Sequence, residues 1–312
     1  MIITIVLEIK SSMKQQYNVP PLKILETKNN SISIFSTDGE NIDIDVVKTF
    51  GEEWLKFNDY SEDEIKLAGS IYFDILNSDI VNKNTYALDI GCGTGRWSKY
   101  LSDKIGFIEA IDPSNAIFVA ADLLKNINNV RLAKASVDTI PFDDETFDFV
   151  MSVGVLHHIP NTQKAMNDCV KKVKKKGYFY CYLYYNLDNR NIIFKSLFWL
   201  SHITRTIVCN MPPRLKRITC DVLAVVLYMP FIFLGRMLFF FGFKKLVKKI
   251  PLAYYIDKTF FIIRNDSLDR FGTRLEQRFS KQEIIQLMQN SGLENIVVSP
   301  TTPFYHVVGQ KK

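Results

Sequence analysis

The stretch LDIGCGTGRW, residues Leu88 to Trp97, continues an apolar run that begins at Tyr86, and it predicts a turn from a strand into a helix. Three of its residues are alternating glycines, Gly91, Gly93 and Gly95. Glycine lets the backbone turn sharply and approach a ligand that a Cβ atom would keep away. A helix that starts here points its free N–H groups toward that ligand. The fingerprint of dinucleotide-binding proteins requires a third glycine one position later. Because Arg96 occupies that position, the spacing disfavours NAD and FAD.

Further landmarks follow at the spacing of repeated strand–helix units. The strand-like run Phe107 to Ile111 ends in Asp112, where a carboxylate can accept hydrogen bonds from ribose hydroxyls. The segment Ala135 to Pro160 then carries a polar turn, an apolar strand over Phe147 to Val153, and a loop. Strands and helices alternate with short links from Tyr86 to Tyr185, which predicts a parallel sheet with right-handed crossovers.

An acid followed by Gly-x-Gly-x-Gly, and then these landmarks in this order, resembles the class I S-adenosylmethionine-dependent methyltransferases. The resemblance implies an α/β fold with a Rossmann-like, seven-stranded, mostly parallel sheet whose last strand is antiparallel. It also implies that Asp89 and the glycine loop hold the methionine end of S-adenosylmethionine, and that Asp112 holds its ribose. The family has an acid at the position of Ser136, whose hydroxyl can accept the same adenine hydrogen bond, and the Val137 backbone would recognise a ring nitrogen. The predicted cofactor-binding residues are Asp89, Gly91, Cys92, Gly93, Gly95, Asp112, Pro113, Ser136, Val137 and Ser152.

The 312 residues have an ordinary globular composition, with 47% hydrophobic and 23% charged residues, enough for one large domain with appendages. The net charge of +6 is too small by itself to indicate nucleic acid as a partner. None of the five cysteines forms a C-x-x-C pair, so zinc and redox motifs are unsupported and a reducing, cytoplasmic compartment is expected. The N-terminal MIITIVLEIK lacks a basic flank and a cleavage site, which favours a strand over a signal peptide.

Composition divides the chain into four predicted segments. They are an extension over 1–50, an S-adenosylmethionine-binding core over 51–188, an inserted helical lid over 189–265, and a C-terminal helix with the last two strands over 266–312. In the extension, Ser31 to Phe35 and Asn41 to Asp45 alternate around a turn and predict a hairpin. Related methyltransferases often carry a zinc ribbon there, but its cysteines are missing, so no metal is expected. Capping boxes at Ser61 and Ser280 predict two helix starts.

The insert over 189–265 differs in composition from the core. Val222 to Phe243 is apolar apart from Pro230 and Arg236, and Asp221 is the only acid between residues 189 and 256. Basic residues bracket this run: Arg205, Arg214, Lys216 and Arg217 before it, and Lys244, Lys245, Lys248 and Lys249 after it. Three interpretations are open: a membrane-spanning helix, a cap buried on the core, and an interfacial anchor or lid. We favour the third because it explains both the apolar bulk and the cations, which suit an anionic leaflet.

Two histidines are the candidate catalytic residues. His157 and His158 follow the strand over Phe147 to Val153 at its carboxyl edge, where open α/β sheets bind ligands. Histidine can act as a base near neutrality. Alternatively, either histidine only packs in the loop and catalysis is positioning alone, since a sulfonium methyl group is already activated. The stretch DRFGTRLEQRF is either a solvated loop or a source of ligands for an anionic substrate, namely Arg270, Arg274 and Arg278.

The stretches FGEEW, GTGRWS, LYYNLDNR and DRFGTRLEQRF resemble methyltransferases encoded beside bacterial surface-polysaccharide and glycolipid pathways. This resemblance implies methylation on oxygen or nitrogen of a sugar-containing or lipid-linked small molecule, with peripheral attachment to the inner membrane face as a further expectation. The alternatives are a methyltransferase of quinones or other lipid rings and an inactive scaffold that keeps the fold. A transfer RNA modifying enzyme fits less well, because the basic residues lack interleaved stacking aromatics.

Overall fold

A computed structural model describes residues 14–27, 30–55, 60–188, 192–247 and 249–312. The chain divides into an α/β unit, Met1–Asn186 with Gln277–Lys312, and a helical unit, Leu187–Glu276. The helical unit therefore interrupts the α/β unit once along the sequence. The strand predicted over the first ten residues lies outside the described residues.

In the described part of the chain, the α/β unit is built on one nine-stranded sheet. Its strands are β1 Lys23–Glu26, β2 Ser31–Ile34, β3 Tyr86–Ile90, β4 Phe107–Ile111, β5 Val130–Lys134, β6 Phe147–Val153, β7 Val173–Tyr182, β8 Leu293–Val298 and β9 His306–Lys311. They lie in the order β1-β2-β5-β4-β3-β6-β7-β9-β8. Strands β2 to β7 run parallel to one another, while β9 is antiparallel to both β7 and β8. Strands β3 to β9 thus form the predicted Rossmann-like, seven-stranded arrangement, which confirms the fold class.

The predicted pairing of the N-terminal hairpin is wrong. Strand β2 does not pair with Asn41–Asp45 but with the preceding β1, and its other edge adds in parallel to β5 with Ile32 opposite Leu132. Ile32 is fully buried there, which fixes β2 in the sheet. Asn41 lies instead in a turn, where its side chain donates to the Asn161 carbonyl at 2.9 Å and accepts from Asn161 N at 2.7 Å. The hairpin therefore extends the seven-stranded sheet to nine strands.

Helices follow the strands and bury the sheet on both faces. In this part of the chain they are α1 Ile44–Trp54, α2 Glu62–Tyr72, α3 Arg96–Ser102, α4 Ala116–Leu123 and α5 Thr162–Lys171, with 3₁₀ turns at Val137–Thr139 and Leu156–His158. Alternate residues of β3 fall into two separate apolar clusters, Leu88 in one and Ala87 in the other. Burial on both sides explains why β3 and β4 are apolar apart from one buried acid each, Asp89 and Glu109. The capping box at Ser61 is confirmed, with Ser61 and Glu64 exchanging hydrogen bonds.

The helical unit consists of α6 Ile192–Val208, α7 Pro213–Leu223, α8 Met229–Phe240, α9 Lys244–Val247 and α10 Phe260–Gly272. A π-helical turn over Ala224–Tyr228 joins α7 to α8, so Pro213–Phe240 is one continuous helix of 28 residues. Pro230 lies just beyond this turn. Because proline cannot donate to a carbonyl one turn earlier, a locally widened turn accommodates the missing bond.

The chain then returns to the α/β unit through α11 Lys281–Asn290, whose predicted capping box at Ser280 and Glu283 is confirmed. The predicted boundary between residues 265 and 266 falls inside α10, and the helical unit continues to Glu276. Strands β8 and β9 follow α11 and close the far edge of the sheet.

Candidate active site

The glycine loop after β3 has a backbone that requires glycine. Gly91, Gly93 and Gly95 have φ angles of +74°, +54° and +79°, in the region that residues with a Cβ rarely adopt. A Cβ atom at Gly91 would lie 2.5 Å from Cγ2 of Val155, in the loop after β6. At Gly93 the described residues place only the Trp54 indole nitrogen within 4 Å, at 3.8 Å. The loop is therefore tightly packed at Gly91 and open at Gly93, where a ligand can approach the backbone.

Asp89 lies buried beside this loop, and only one of its two carboxylate oxygens accepts a hydrogen bond from the described residues. Its Oδ2 accepts a hydrogen bond from Ser98 Oγ at 2.7 Å. Its Oδ1 is buried and has no hydrogen-bond partner among the described residues. Burial, and then the nearby charge of Asp112, raises the pKa of Asp89 to about 7. Since an unpaired buried acceptor is costly, this oxygen suits a cationic donor from a ligand.

Asp112 connects the glycine loop to the turn after β4. Its Oδ2 accepts from Gly93 N at 2.9 Å, and its Oδ1 accepts from Ser114 N at 2.8 Å and from Ser114 Oγ at 2.6 Å. Burial raises the pKa of Asp112, although these hydrogen bonds oppose the shift. A carboxylate offers about four acceptor sites, so one site next to the opening at Gly93 is left for a ligand hydroxyl.

The other predicted cofactor-binding residues lie at the same carboxyl edge of the sheet. Ser136 caps the 3₁₀ turn that contains Val137, with its hydroxyl 3.0 Å from Thr139 Oγ1. Ser152 is fully buried and donates to the Ile90 carbonyl at 3.0 Å, while the Cys92 side chain is buried in the core. Pro113 is half-buried beside Asp112. All ten predicted residues thus lie on or directly after β3, β4, β5 and β6, which are neighbouring strands.

Helix α1 contributes aromatic residues that sequence reasoning did not assign to the site. The guanidinium of Arg96 lies 4.4 Å from the ring centroid of Trp97, 5.4 Å from that of Trp54 and 5.3 Å from that of Tyr60. This arrangement holds the first residue of α3 among aromatic rings beside Gly93. The stretch FGEEW carries Trp54, but its sequence distance from the glycine loop gives no indication that the two meet.

The candidate catalytic histidines lie in the 3₁₀ turn after β6. His157 is fully buried and stacks on Tyr184, with ring centroids 3.9 Å apart. Neither its Nδ1 nor its Nε2 has a hydrogen-bond partner in the described part of the chain. Burial, and then the charges of His158 and Arg278, lowers the pKa of His157 well below 6.5. His157 is therefore neutral at pH 7, and both of its ring nitrogens are buried. The His158 ring lies 4.1 Å from that of His157 and 4.7 Å from that of Phe50 in α1.

Of the three predicted substrate arginines, Arg278 shares the α/β unit with these histidines. Its guanidinium lies 5.0 Å from the ring centroid of Tyr184, and its Nη1 donates to the Tyr185 carbonyl at 3.2 Å. The neighbouring Gln277 N donates to the His157 carbonyl at 2.9 Å. These bonds attach the start of the C-terminal segment directly to the histidine turn.

Arg270 and Arg274 belong to the helical unit. Arg270 pairs with Glu276 at 3.0 Å and donates to Ser201 Oγ at 2.7 Å. The backbone carbonyl of Arg274 accepts from Arg205 at 2.8 Å. Both residues thus contribute to the internal structure of that unit.

Tyr182 and Tyr184 lie at the carboxyl end of β7, and Tyr72 of α2 packs beside Tyr182. Ring centroids lie 5.8 Å apart between Tyr184 and Tyr182, 5.1 Å between Tyr182 and Tyr72, and 4.8 Å between Tyr72 and Trp97. Tyr184 is a site residue that sequence reasoning missed, although the LYYN run after β7 carried it. Among the described residues, no group of three or more His, Cys, Asp or Glu side chains could hold a metal ion.

Comparisons with known proteins show what this chain is similar to. Residues 88–181 match the family described as Methyltransferase domain. A demethylmenaquinone methyltransferase of Staphylococcus carnosus is 32% identical over 111 residues, which are 34% of this chain and 46% of that protein. A ubiquinone biosynthesis O-methyltransferase of Coxiella burnetii is 24% identical over 154 residues, 45% of this chain and 63% of that protein. A solved SAM-dependent methyltransferase from Aquifex aeolicus aligns with 81% of this chain and 98% of its own, at 13% identity and a TM-score of 0.41.

The matched segment runs from β3 to β7 and contains the glycine loop, Asp112 and the two histidines. It is a methyltransferase domain, of the class that takes its methyl group from S-adenosylmethionine. The predictions of an enzyme domain of this class and of its methyl donor are confirmed. The chain spans about half the length of the curated relatives it matches, 46% of the first of these two and 63% of the second.

Proposed function

We propose that the whole chain is an S-adenosylmethionine-dependent methyltransferase that methylates oxygen or nitrogen of a lipid-linked small molecule. A sugar-containing head group, of the kind used in surface-polysaccharide or glycolipid assembly, is the first candidate acceptor. One observation carries the proposal: three groups with unused binding capacity lie at the carboxyl ends of the neighbouring strands β3 and β6. They are the unpaired Oδ1 of Asp89, the open Gly93 backbone and the unpaired His157 ring nitrogens. Donor-binding and acceptor-binding groups are thereby supplied by one edge of the sheet.

The residues present fit the donor. When bound, S-adenosylmethionine supplies a methyl group already activated by the sulfonium charge, so the protein mainly has to align the reacting atoms. Oδ1 of Asp89 would accept from the ammonium group of its methionine end. The remaining acceptor site of Asp112 would bind a ribose hydroxyl. The open side of Gly93 would let the backbone lie against the ligand without a Cβ atom between them.

On the acceptor side, His157 would hold the nucleophile. A neutral imidazole can accept a hydrogen bond from an acceptor hydroxyl or amine and take its proton as the methyl group is transferred. Tyr184 fixes the plane of this ring by stacking on it. Arg278, whose guanidinium lies 5.0 Å from the Tyr184 ring centroid, would attract an anionic group of the acceptor such as a phosphate.

The acceptor class is inferred from the aromatic lining and from the composition of the helical unit. Tyr184, Tyr182 and Tyr72 offer faces that suit the apolar face of a sugar or a flat ring. The names of the two curated relatives support a quinone ring as the second candidate. The exposed apolar residues of the helical unit support an enzyme that works at a membrane surface, peripheral to its cytoplasmic face.

The test is to supply the purified chain with methyl-labelled S-adenosylmethionine and total cell extract. We expect label to enter the organic phase rather than the aqueous phase, because the acceptor carries a lipid. Mild acid hydrolysis should then release the label with the head group if the acceptor is a lipid-linked sugar, and leave it in the organic phase if the acceptor is a quinone. Label only in the aqueous phase would contradict a lipid-linked acceptor, and no label in either phase would contradict the methyltransferase proposal.

A second prediction concerns the pH dependence of donor-site binding. In the free protein Asp89 keeps its proton up to about pH 7, whereas an ammonium ligand favours the ionised form. Binding must therefore release a proton at lower pH, and the affinity for S-adenosylhomocysteine should rise on the order of tenfold between pH 6 and pH 8. Because folding raises the pKa of Asp89 from 3.8 to about 7, the stability of the unliganded protein falls as pH rises between these two values.

Isothermal titration at three pH values would measure this dependence. The Asp89→Asn variant is the matched control, since it keeps the size of the side chain but cannot ionise. Its affinity should be weaker and nearly independent of pH. If the variant keeps the wild-type pH dependence, Asp89 is not the group that binds the ammonium.

A further inference from the structure

The longest helix of the helical unit is apolar on two opposite faces. Within Pro213–Phe240 the buried residues recur every three or four positions: Cys220, Ala224, Tyr228, Ile232 and Gly235. Most exposed residues of this helix are also apolar, and Leu215, Ile218, Val222, Val225, Val226, Phe233, Met237 and Phe240 recur at a similar spacing. Arg214 and Arg236 are its exposed charged residues. A helix that faces water on one side normally carries polar residues there. This outer face is therefore built for a non-aqueous neighbour.

The end of this helix forms an exposed aromatic tip, which we define as Phe239, Phe240, Phe241 and Phe243. Their exposed fractions are 55%, 83%, 62% and 53%. Gly242, with φ of +82°, turns the chain between them. Lys244 and Lys245 follow directly and are exposed, as is Lys249. Four phenylalanines in water beside three lysines are unfavourable unless both groups meet an apolar surface with an anionic rim.

The charge of the surrounding segment has one sign. Residues 189–256 contain eleven lysines and arginines and a single acid, Asp221. That acid is paired with Arg264 through two contacts, at 2.8 Å and 2.6 Å. Arg236, within the apolar run, donates to the Ile256 carbonyl at 2.8 Å. The segment therefore presents a positive surface around its apolar residues, complementary to negatively charged head groups.

We propose that the aromatic tip and the outer face of Pro213–Phe240 dock on an anionic phospholipid leaflet, with the tip inserted at the boundary between head groups and acyl chains. The inference deepens the proposed function, on which it rests for the lipid-linked substrate, by naming the surface and the lipid charge that bring enzyme and substrate together. Such a helix lies in the plane of the membrane interface.

Docking along the surface fits better than crossing it. By length and composition Pro213–Phe240 could span a membrane, a test that the core helices of soluble proteins also pass. Near its centre, however, Tyr228 donates to Asp266 of α10 at 2.6 Å. A span would carry that carboxyl group and its helix into the hydrocarbon region, which is strongly unfavourable.

Flotation of the full chain with phosphatidylcholine vesicles, with or without phosphatidylglycerol, tests the charge part. We expect binding to the anionic vesicles only, and weaker binding at high salt. The variant Lys244→Gln/Lys245→Gln/Lys249→Gln should partition on the order of 100-fold more weakly, at about fivefold per lysine. The matched control is Lys23→Gln/Lys125→Gln/Lys175→Gln, which removes the same charge from exposed positions of the α/β unit. Equal flotation with neutral and anionic vesicles, or none with either, would overturn the proposal.

A second pair of variants tests the aromatic tip. Phe240→Ser/Phe241→Ser should abolish flotation, whereas Leu22→Ser/Leu67→Ser, at residues exposed by 75% and 59% in the α/β unit, should not. Fluorescence of Phe240→Trp should be quenched by brominated lipids and that of Leu22→Trp should not. If the bound protein resists carbonate extraction, the helix spans the membrane instead of docking on it. If the chain forms a dimer without vesicles and the tip variant abolishes that dimer, the aromatic tip binds a second copy of the chain instead of a leaflet.

Two readouts separate this inference from the proposed function. S-adenosylhomocysteine binding by every variant shows that it is folded. Label transfer to detergent-dissolved acceptor measures the chemistry without a membrane. If the wild-type chain transfers label in detergent but does not float with vesicles, the docking proposal alone is contradicted. If it floats but transfers no label, the catalytic proposal alone is contradicted.

Discussion

Replacing His157 by alanine is expected to reduce methyl transfer by roughly 10²–10⁴-fold while leaving S-adenosylhomocysteine affinity unchanged. The reason is that both ring nitrogens of this buried side chain lack a hydrogen-bond partner within the described structure, and the proposed acceptor would supply one. The pKa of His157 lies well below 6.5 because of burial. The wild-type pH–rate profile should therefore show no loss of activity on protonation of His157 near pH 6.5. Single-turnover rates with saturating donor are the measurement.

The matched control is His157→Phe, which keeps an aromatic ring against Tyr184 but removes both nitrogens. If His157 accepts the proton, the phenylalanine variant should be as slow as the alanine variant. If it restores the rate, the residue only packs. Near-normal rates in His157→Ala and His158→Ala alike would mean that catalysis depends on positioning alone.

Gly91→Ala is expected to have the largest effect on the donor site. The new Cβ would lie 2.5 Å and 2.7 Å from the two methyl groups of Val155, and the residue would keep φ of +74°. The backbone strain costs about 1–2 kcal/mol, and overpacking a rigid site costs about 1–3 kcal/mol more. Titration with S-adenosylhomocysteine should show binding weakened by more than tenfold, together with a lower melting temperature.

Two further variants separate these causes. Gly292 has φ of +85° and open space around the position of its Cβ, so Gly292→Ala measures the backbone strain alone. Adding Val155→Ala to Gly91→Ala should restore the part of the affinity that the clash with Val155 removes. The part lost through backbone strain at residue 91 should remain lost. Wild-type affinity in Gly91→Ala would show that the loop relaxes freely and that its tight packing on Val155 does not position the donor.

Local patterns in the sequence predicted most of the α/β unit correctly. The alternation of apolar runs with helix signals predicted β3 to β9, because the buried parts of these strands carry mostly apolar residues. Ser61 and Ser280 predicted their helix starts, since a capping box satisfies backbone donors only at that place. Asp112 could be placed at a strand end for the same reason: the boundary of an apolar run is visible in the sequence itself.

Contacts between distant segments were not predictable in the same way. The sequence offered Asn41–Asp45 as a partner for β2, but the edge of β5 and the bridge from Asn41 to Asn161 decided otherwise. Trp54 lies beside Gly93, although some forty positions separate them in the sequence. Either partner looks ordinary in its own neighbourhood, so no local pattern marks the pair.

By itself, then, the sequence determined the fold class, the glycine loop, the strand-end acid and the unusual composition of the insert, all of which depend on residues close together in the chain. Only the tertiary structure decided that His157 is neutral and unpaired, that Arg278 is the predicted arginine beside it, and that Asp89 keeps a free buried oxygen. The physical reason is that burial and electrostatic surroundings arise from segments that meet only after folding. A titratable group therefore acquires its chemical properties from neighbours that its own stretch of sequence does not name.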